Sequence, residues 1–354
     1  ANSGTNLVVT VAGVVATPNK TNNWTGAGWS ANSTSDSPAV KFIGGGNVSG
    51  TFVINVQVDR TIASVDNSTI TAAGDWFVEA VNDSNIYMGA GAVTYGSVDS
   101  EKGGGSAAMA GALAVNVMAQ RTEAFIDETT VTVTGDLDVD SSARGNIIAM
   151  ALSGAASTGA LSAAGSIFVN VISSNTIARV NDSGITGNDV HVTSKNDNVI
   201  LGVAGALSTV QDSQNSNADS TSAVGFSVGV NVISNDLRDG GTLAIVEDST
   251  IDAAGDLVVN ADTERNVLIG LLSAVVNFSG TGASSAIAIT IGLNVASTRT
   301  HAIVRGRKDD EDLDVDGNVT VHAEDDSSIK NFTFAGSAAF SSSSSNAAGA
   351  GLGF

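Results

Sequence analysis

Apolar residues fall on every second position through most of this chain. In Thr130-Val131-Thr132-Val133-Thr134 the apolar side chains alternate with hydroxyls, and in Asp136-Leu137-Asp138-Val139-Asp140 they alternate with carboxylates. Period two, bounded by Gly, Asn, Asp and Ser, is the mark of short half-buried strands joined by turns. Val, Ile and Thr favour the pleated sheet because their branched Cβ packs well there. The strong helix formers Lys, Arg, Glu, Gln and Met are scarce. The pattern predicts an all-β chain with little or no helix.

The strands recur in a fixed order. Thr-x-Ala-x-(Val/Ile) appears at Thr61-Ala63-Val65, Thr122-Ala124-Ile126, Thr176-Ala178-Val180, Thr242-Ala244-Val246 and Thr300-Ala302-Val304. An Asn-Val pair precedes each: Asn55-Val56, Asn116-Val117, Asn170-Val171, Asn231-Val232 and Asn294-Val295. Gly-(Asp/Asn) follows each, at Gly74-Asp75, Gly135-Asp136, Gly187-Asn188, Gly255-Asp256 and Gly317-Asn318. An Asn followed by Ile or Val comes next in four copies, as at Asn85-Ile86, with Ser328-Ile329 in the fifth. Markers kept in order through five copies are a structural repeat. The fourth copy reads as strands at 242–246, 250–252 and 256–260, a polar turn at 261–265, and long strands at 266–278 and 286–295.

A unit of roughly 60 residues built this way cannot close its own core, so its apolar face is buried by the next unit. The sequence therefore predicts a right-handed parallel β-helix, a β-solenoid of about five such repeats. Ala63, Ala124, Ala178, Ala244 and Ala302 would form an inward column, and the Asn of the Asn-Val pairs a side-chain amide ladder. Two or three coils per unit, at about 4.8 Å each, would give a body roughly 50–75 Å long. The competing arrangements are antiparallel: hairpins of the two long strands, or an outer-membrane barrel. Residues 1–40 do not match the unit and read as a cap or a neighbouring segment. They hold Trp24, Trp29, Pro18 and Pro38. The repeat array then runs over 41–354, with its last repeat incomplete. With no initiator Met and no leader pattern, the chain reads as a mature product or a piece of something longer, and an array cut mid-unit exposes an edge that invites pairing.

Composition narrows the functions. The formal net charge is −21, with 15 Lys and Arg against 36 Asp and Glu. Phosphate neutralisation needs clustered cations, so nucleic acid is not an expected partner. The absence of Cys removes disulfides, thiolate metal sites and thiol nucleophiles. No apolar run reaches the length of a transmembrane helix.

The order Asn231-Val232-Ile233, Thr242-x-Ala244-x-Val246, Ser249-Thr250-Ile251-x-Ala253, Gly255-Asp256-Leu257-x-Val259, Asn266-x-Leu268 resembles the repeat regions of giant secreted bacterial surface proteins. These are the filamentous-haemagglutinin-like and leukotoxin-like adhesins and autotransporter passengers. The resemblance covers about residues 40–354. It implies an exported β-solenoid stalk displayed on a bacterial surface, and it brings no catalytic residues.

Few residues stand out as sites. Asp312, Asp314 and Asp316, followed by Gly317, have the spacing of the first half of a calcium loop; the twelfth position is Ala323, and Glu324 comes one residue late. Calcium is the one cofactor the sequence raises, against the plainer reading of a solvated acidic strand. Asp136, Asp138 and Asp140 read as an exposed acidic face. His191, His301 and His322 read as surface strand residues, with His191 and His322 at related positions. The row Thr130, Thr132, Thr134 finds no counterpart in other units, which argues against an ice-binding surface. No nucleophile constellation is separable, so no catalytic residue is assigned. The expectation is a structural and adhesive segment whose partners are copies of itself or a ligand on a host or neighbouring cell. The alternatives are a self-assembling filament subunit and a β-helix polysaccharide lyase or epimerase.

Overall fold

A computed structural model describes residues 2–16, 28–29, 46–96, 107–211, 220–235, 240–280, 282–306, 313–341 and 347–353. Among them there is no helix, and every strand pairing is parallel. The chain begins with β1 (Asn2–Ala16) and β2 (Gly28–Trp29). The first full coil is β3 (Gly46–Asp66), β4 (Thr69–Ala72) and β5 (Trp76–Gly96); the second is β6 (Ala107–Asp127), β7 (Thr130–Val133) and β8 (Leu137–Ser157). The third is β9 (Leu161–Asn181), β10 (Gly184–Gly187) and β11 (Val190–Gln211). The fourth divides its first strand into β12 (Ser220–Ser234) and β13 (Thr242–Glu247), then continues as β14 (Thr250–Ala253) and β15 (Leu257–Ser279). The fifth repeats this as β16 (Ala283–Ser297), β17 (Thr300–Arg305), β18 (Leu313–Val315) and β19 (Val319–Ser341), and β20 (Ala347–Gly353) starts a sixth.

Three sheets result. Sheet A stacks β1-β5-β8-β11-β15-β19, sheet C stacks β4-β7-β10-β14-β18, and sheet B holds β2, β3, β6, β9, β12, β16 and β20 with β13 and β17. This is a right-handed parallel β-helix, the hand that crossovers between twisted parallel strands adopt. The antiparallel hairpin and the barrel are both overturned by the parallel ladders. The long strands before and after each Gly/Ser loop, such as β8 and β9, lie in opposite sheets and face each other across the interior.

One repeat makes one coil, not two or three. Thr176 pairs with Thr242, and Thr242 with Thr300, so each strand's neighbour is a whole repeat away. The strands of sheet A therefore span only about 24 Å along the axis, while one 21-residue strand reaches up to roughly 70 Å across it. The body is a slab wider than it is long. The polar turn expected at 261–265 is also absent. Ala261, Thr263 and Arg265 point inward and Asp262 and Glu264 outward, so the alternation continues unbroken through β15. Polarity resembled a turn there because polar side chains occupy the inside as well.

Of residues 1–40, β1 lies parallel to β5 in sheet A, and β2 pairs with Thr51 and Phe52 of β3. At the other end β20 covers β16 only from Ser284 to Thr290. Val319, Val321 and Ile329 continue the columns of Leu257, Val259 and Val267, yet each is about half exposed.

The two expected columns are present. Ala63, Ala124, Ala178, Ala244 and Ala302 stack in register, the middle three fully buried. In the amide ladder each Nδ2 donates to the next Oδ1: Asn55 to Asn116 (3.0 Å), Asn116 to Asn170 (2.7 Å), Asn170 to Asn231 (3.0 Å) and Asn231 to Asn294 (3.2 Å). Where the three sheets meet, the interior is Val, Ile, Leu and Ala, including Val131, Ile185 and Ile251 on sheet C.

The Gly-Asp marker has a stacking cause. Asp75 Oδ1 accepts from the backbone N–H of Asp136, Asp189 Oδ1 from that of Asp256, and Asp256 Oδ1 from that of Asn318. Each carboxylate reaches across the glycine of the next coil. A Cβ on Gly135 would lie 2.2 Å from Asp75 Oδ1, and one on Gly255 2.0 Å from Asp189 Oδ1. Gly187 is the exception: it closes β10 opposite Ala253, two positions before the turn glycine Gly255. The corner between sheets B and C carries a second ladder, in which Ser68, Thr129 and Ser183 donate their backbone N–H to the hydroxyls of Thr129, Ser183 and Ser249.

The inside also holds an unusual cation. Arg265 is 1% exposed, its nearest carboxylate is Asp325 at 3.5 Å, and burial lowers its pKa against the opposing pull of that carboxylate.

Candidate functional site

The stacking gathers titratable side chains on the outer face of sheet A. Asp138 on β8 stands in register with His191 on β11, and Asp140 with Glu79 on β5 and Thr193 on β11. His191 Nδ1 lies 2.7 Å from Asp138 Oδ1. With Ser141, Ser142 and Lys195 these residues line a shallow open concavity of about 430 Å3. Lys195 is shared with Asp262 at 3.7 Å. Partial burial raises the pKa of Asp140, and Asp138 and Glu79 push it further up by repulsion; a hydrogen bond from Thr193 and the charge of His191 act the other way. A carboxyl held above its normal range beside a His–Asp pair has the composition of an acid–base couple.

Gly135 and Gly187 as alignment marks hid the Asp138–His191 pairing, because Gly187 is offset from the turn. Alignment on the strand starts Leu137 and Val190 places the two side chains together. His191 and His322 do not share a column: His191 pairs with Val258, and His322 with Asn260, whose Oδ1 lies 3.1 Å from His322 Nδ1. Asp136 leaves the acidic face altogether. It sits in the turn, its pKa lowered chiefly by the Asn188 amide (2.8 Å) and then by the Asp189 N–H (3.2 Å).

Of the calcium candidates, Asp312 lies outside the described residues. Asp314 lies on β18 opposite Asp252, and Asp316 is in the following turn, its N–H donating to the Ala253 carbonyl at 2.9 Å. No group of three His, Cys, Asp or Glu among the described residues is arranged to hold a metal ion. The threonine row does gain a partner: Thr130 and Thr132 stack on Thr69 and Thr71. It breaks in later coils, where Gly184 and then Asp252 stand in these columns.

The remaining outer surface divides sharply. The outward side of sheet B from Val48 to Val56, and the same positions in the later coils, carries Val, Ile, Leu, Met, Phe, Ala and Gly only. The inward positions between them are mostly small or polar, such as Ala114, Ser166 and Asn170, with Val53 and Phe168 as the large apolar exceptions. The apolar side of these strands thus faces out, the reverse of the three-sheet corner. No helix among the described residues is long and apolar enough to cross a membrane.

No family model matches the chain, and comparison with curated proteins and with solved structures gives no match.

Proposed function

We propose that the chain is a structural and adhesive β-solenoid segment of an exported bacterial surface protein, a stiff element of a stalk that carries cell-surface attachment. The observation that supports this is the in-register stacking of five coils, each tied to the next by the buried amide ladder. A stack of this kind resists bending and shear because each inner coil is hydrogen-bonded to two neighbours along three sheets. The resemblance of the repeat to secreted adhesins supports the location. Antibody raised against the chain tests it: labelling of intact cells of the source organism is expected, and labelling only after permeabilisation would overturn it. Calcium remains a proposed ligand of Asp312, Asp314 and Asp316 within this reading. A calcium-dependent rise in melting temperature that Asp314→Asn abolishes is its test.

Two specific observations favour other readings. The apolar outer side of sheet B favours a self-assembling filament subunit, for which electron microscopy would show long fibres in place of short slabs. The Glu79–Asp138–Asp140–His191 patch favours a polysaccharide lyase or epimerase. An open, shallow site excludes water poorly, which weighs against that chemistry. Turnover of an acidic polysaccharide, lost in His191→Ala, would establish it.

A further inference from the structure

We propose that the charge-free outer face of sheet B is the surface through which two copies of this chain pack against each other. In β9, Asn170 points inward to the amide ladder while Val169 and Val171 on either side point out. Register repeats this in every coil, so Val56, Val117, Val171, Val232 and Val295 form one outward column. Four more columns lie beside it, beginning at Val48, Gly50, Phe52 and Ile54, and none contains a polar side chain. Val56 is 65% exposed and Leu293 51%.

The size of the face argues for a protein occupant. Five strands about 4.8 Å apart and five columns about 6.7 Å apart make roughly 800 Å2. A standard interface buries about that much per partner, while the largest patch on a typical monomer is roughly 300–600 Å2. Charge argues for a second copy. At −21 the chain repels itself and anionic lipid headgroups alike. Two copies can meet closely only where carboxylates are missing, and on these strands the nearest outward charges, Arg60 and Arg121, lie two columns away. A flat face of repeated Val and Ile columns is self-complementary, so the contact is isologous, the same patch on both partners.

This names the partner of the structural reading and rests on it, but the two fail separately. A monomer displayed on the cell surface would end this proposal and leave that reading, and a catalytically active dimer would do the opposite. The experiment is sedimentation velocity of the full chain over a concentration series. The expected result is a mass that doubles as concentration rises. Val171→Asp buries an unpaired carboxylate in the contact and weakens the dimer by roughly tenfold or more. Ser173→Asp, one column outside the face, leaves it intact. Circular dichroism checks folding, and Val171→Thr, which keeps the shape, replaces Val171→Asp if that variant does not fold. A chain monomeric throughout, or association that substitution at Val171 leaves unmoved, overturns the proposal. So does a monomer that floats with phosphatidylcholine vesicles, which would assign the face to lipid.

Discussion

Replacing Asn170 by alanine removes the middle rung of the amide ladder. Asn170 is fully buried and makes two ladder bonds, accepting from Asn116 Nδ2 at 2.7 Å and donating to Asn231 Oδ1 at 3.0 Å. Its loss strands one donor and one acceptor inside the slab. A buried polar group left without its partner costs about 1–3 kcal/mol, so Asn170→Ala is expected to cost about 2–6 kcal/mol. Asn294 at the open end is the internal comparison. It accepts one ladder bond, from Asn231 at 3.2 Å, and its own Nδ2 has no acceptor. Asn294→Ala therefore strands only the Asn231 donor and is expected to cost about 1–3 kcal/mol. Urea titration followed by circular dichroism measures both, with equal m-values as the condition for comparing midpoints. A loss at Asn170 no larger than that at Asn294 would show that the ladder does not hold the coils together and would refute the reasoning.

Three other changes probe separate parts of the interior and surface. Asp140 has its pKa raised by burial and neighbouring carboxylates. Its contribution to stability is full below the unfolded carboxylate pKa and is lost as pH rises through the higher folded value. Asp140→Asn should melt higher than the parent at neutral pH and equal to it near pH 3, and equal melting at both would contradict the shift. Arg265 is buried with its guanidinium nitrogens unbonded and only Asp325 nearby; Arg265→Met is expected to raise stability by about 1–4 kcal/mol, since apolar side chains often replace poorly satisfied buried ions with gain. Destabilisation in urea would show instead that the cation is well held. Phe168 is seated between Gly202 and Gly229, where an added Cβ would come within 2.4 and 2.5 Å of its ring. Gly229→Ala should cost about 1–3 kcal/mol by overpacking, and Phe168→Leu in that background should recover part of it; no recovery would place the strain elsewhere.

Much of the fold was legible because stacking repeats chemistry. The Thr-x-Ala-x-Val and Asn-Val markers sit where in-register coils place identical side chains against each other, so the Ala column and the amide ladder follow from the sequence alone. Coil size was not legible. Period two gives the face of each residue but not the point where a strand ends, and residues 261–265 resembled a turn because Thr263 and Arg265 are polar and inward. The patch around His191 was hidden by a one-residue offset in the third repeat, which moves Gly187 out of the turn. The apolar outer face of sheet B was present in every (Ile/Val/Leu)-Asn-Val triplet. Its direction became clear only once the ladder showed the Asn to be inside.

The claim that one repeat makes one coil can be tested with cysteine pairs, since the chain has no Cys of its own. Thr132 and Thr186 are register neighbours on the outer side of sheet C, and Asp252 is the next in the same column. Adjacent parallel strands lie about 4.8 Å apart, within disulfide reach, whereas two coils, roughly 9.6 Å, exceed the limit of about 7 Å between Cα atoms. Under mild oxidation Thr132→Cys/Thr186→Cys should crosslink quickly within the monomer, and Thr132→Cys/Asp252→Cys should not. Failure of the first pair, or crosslinking of the second in its place, would contradict the one-repeat coil.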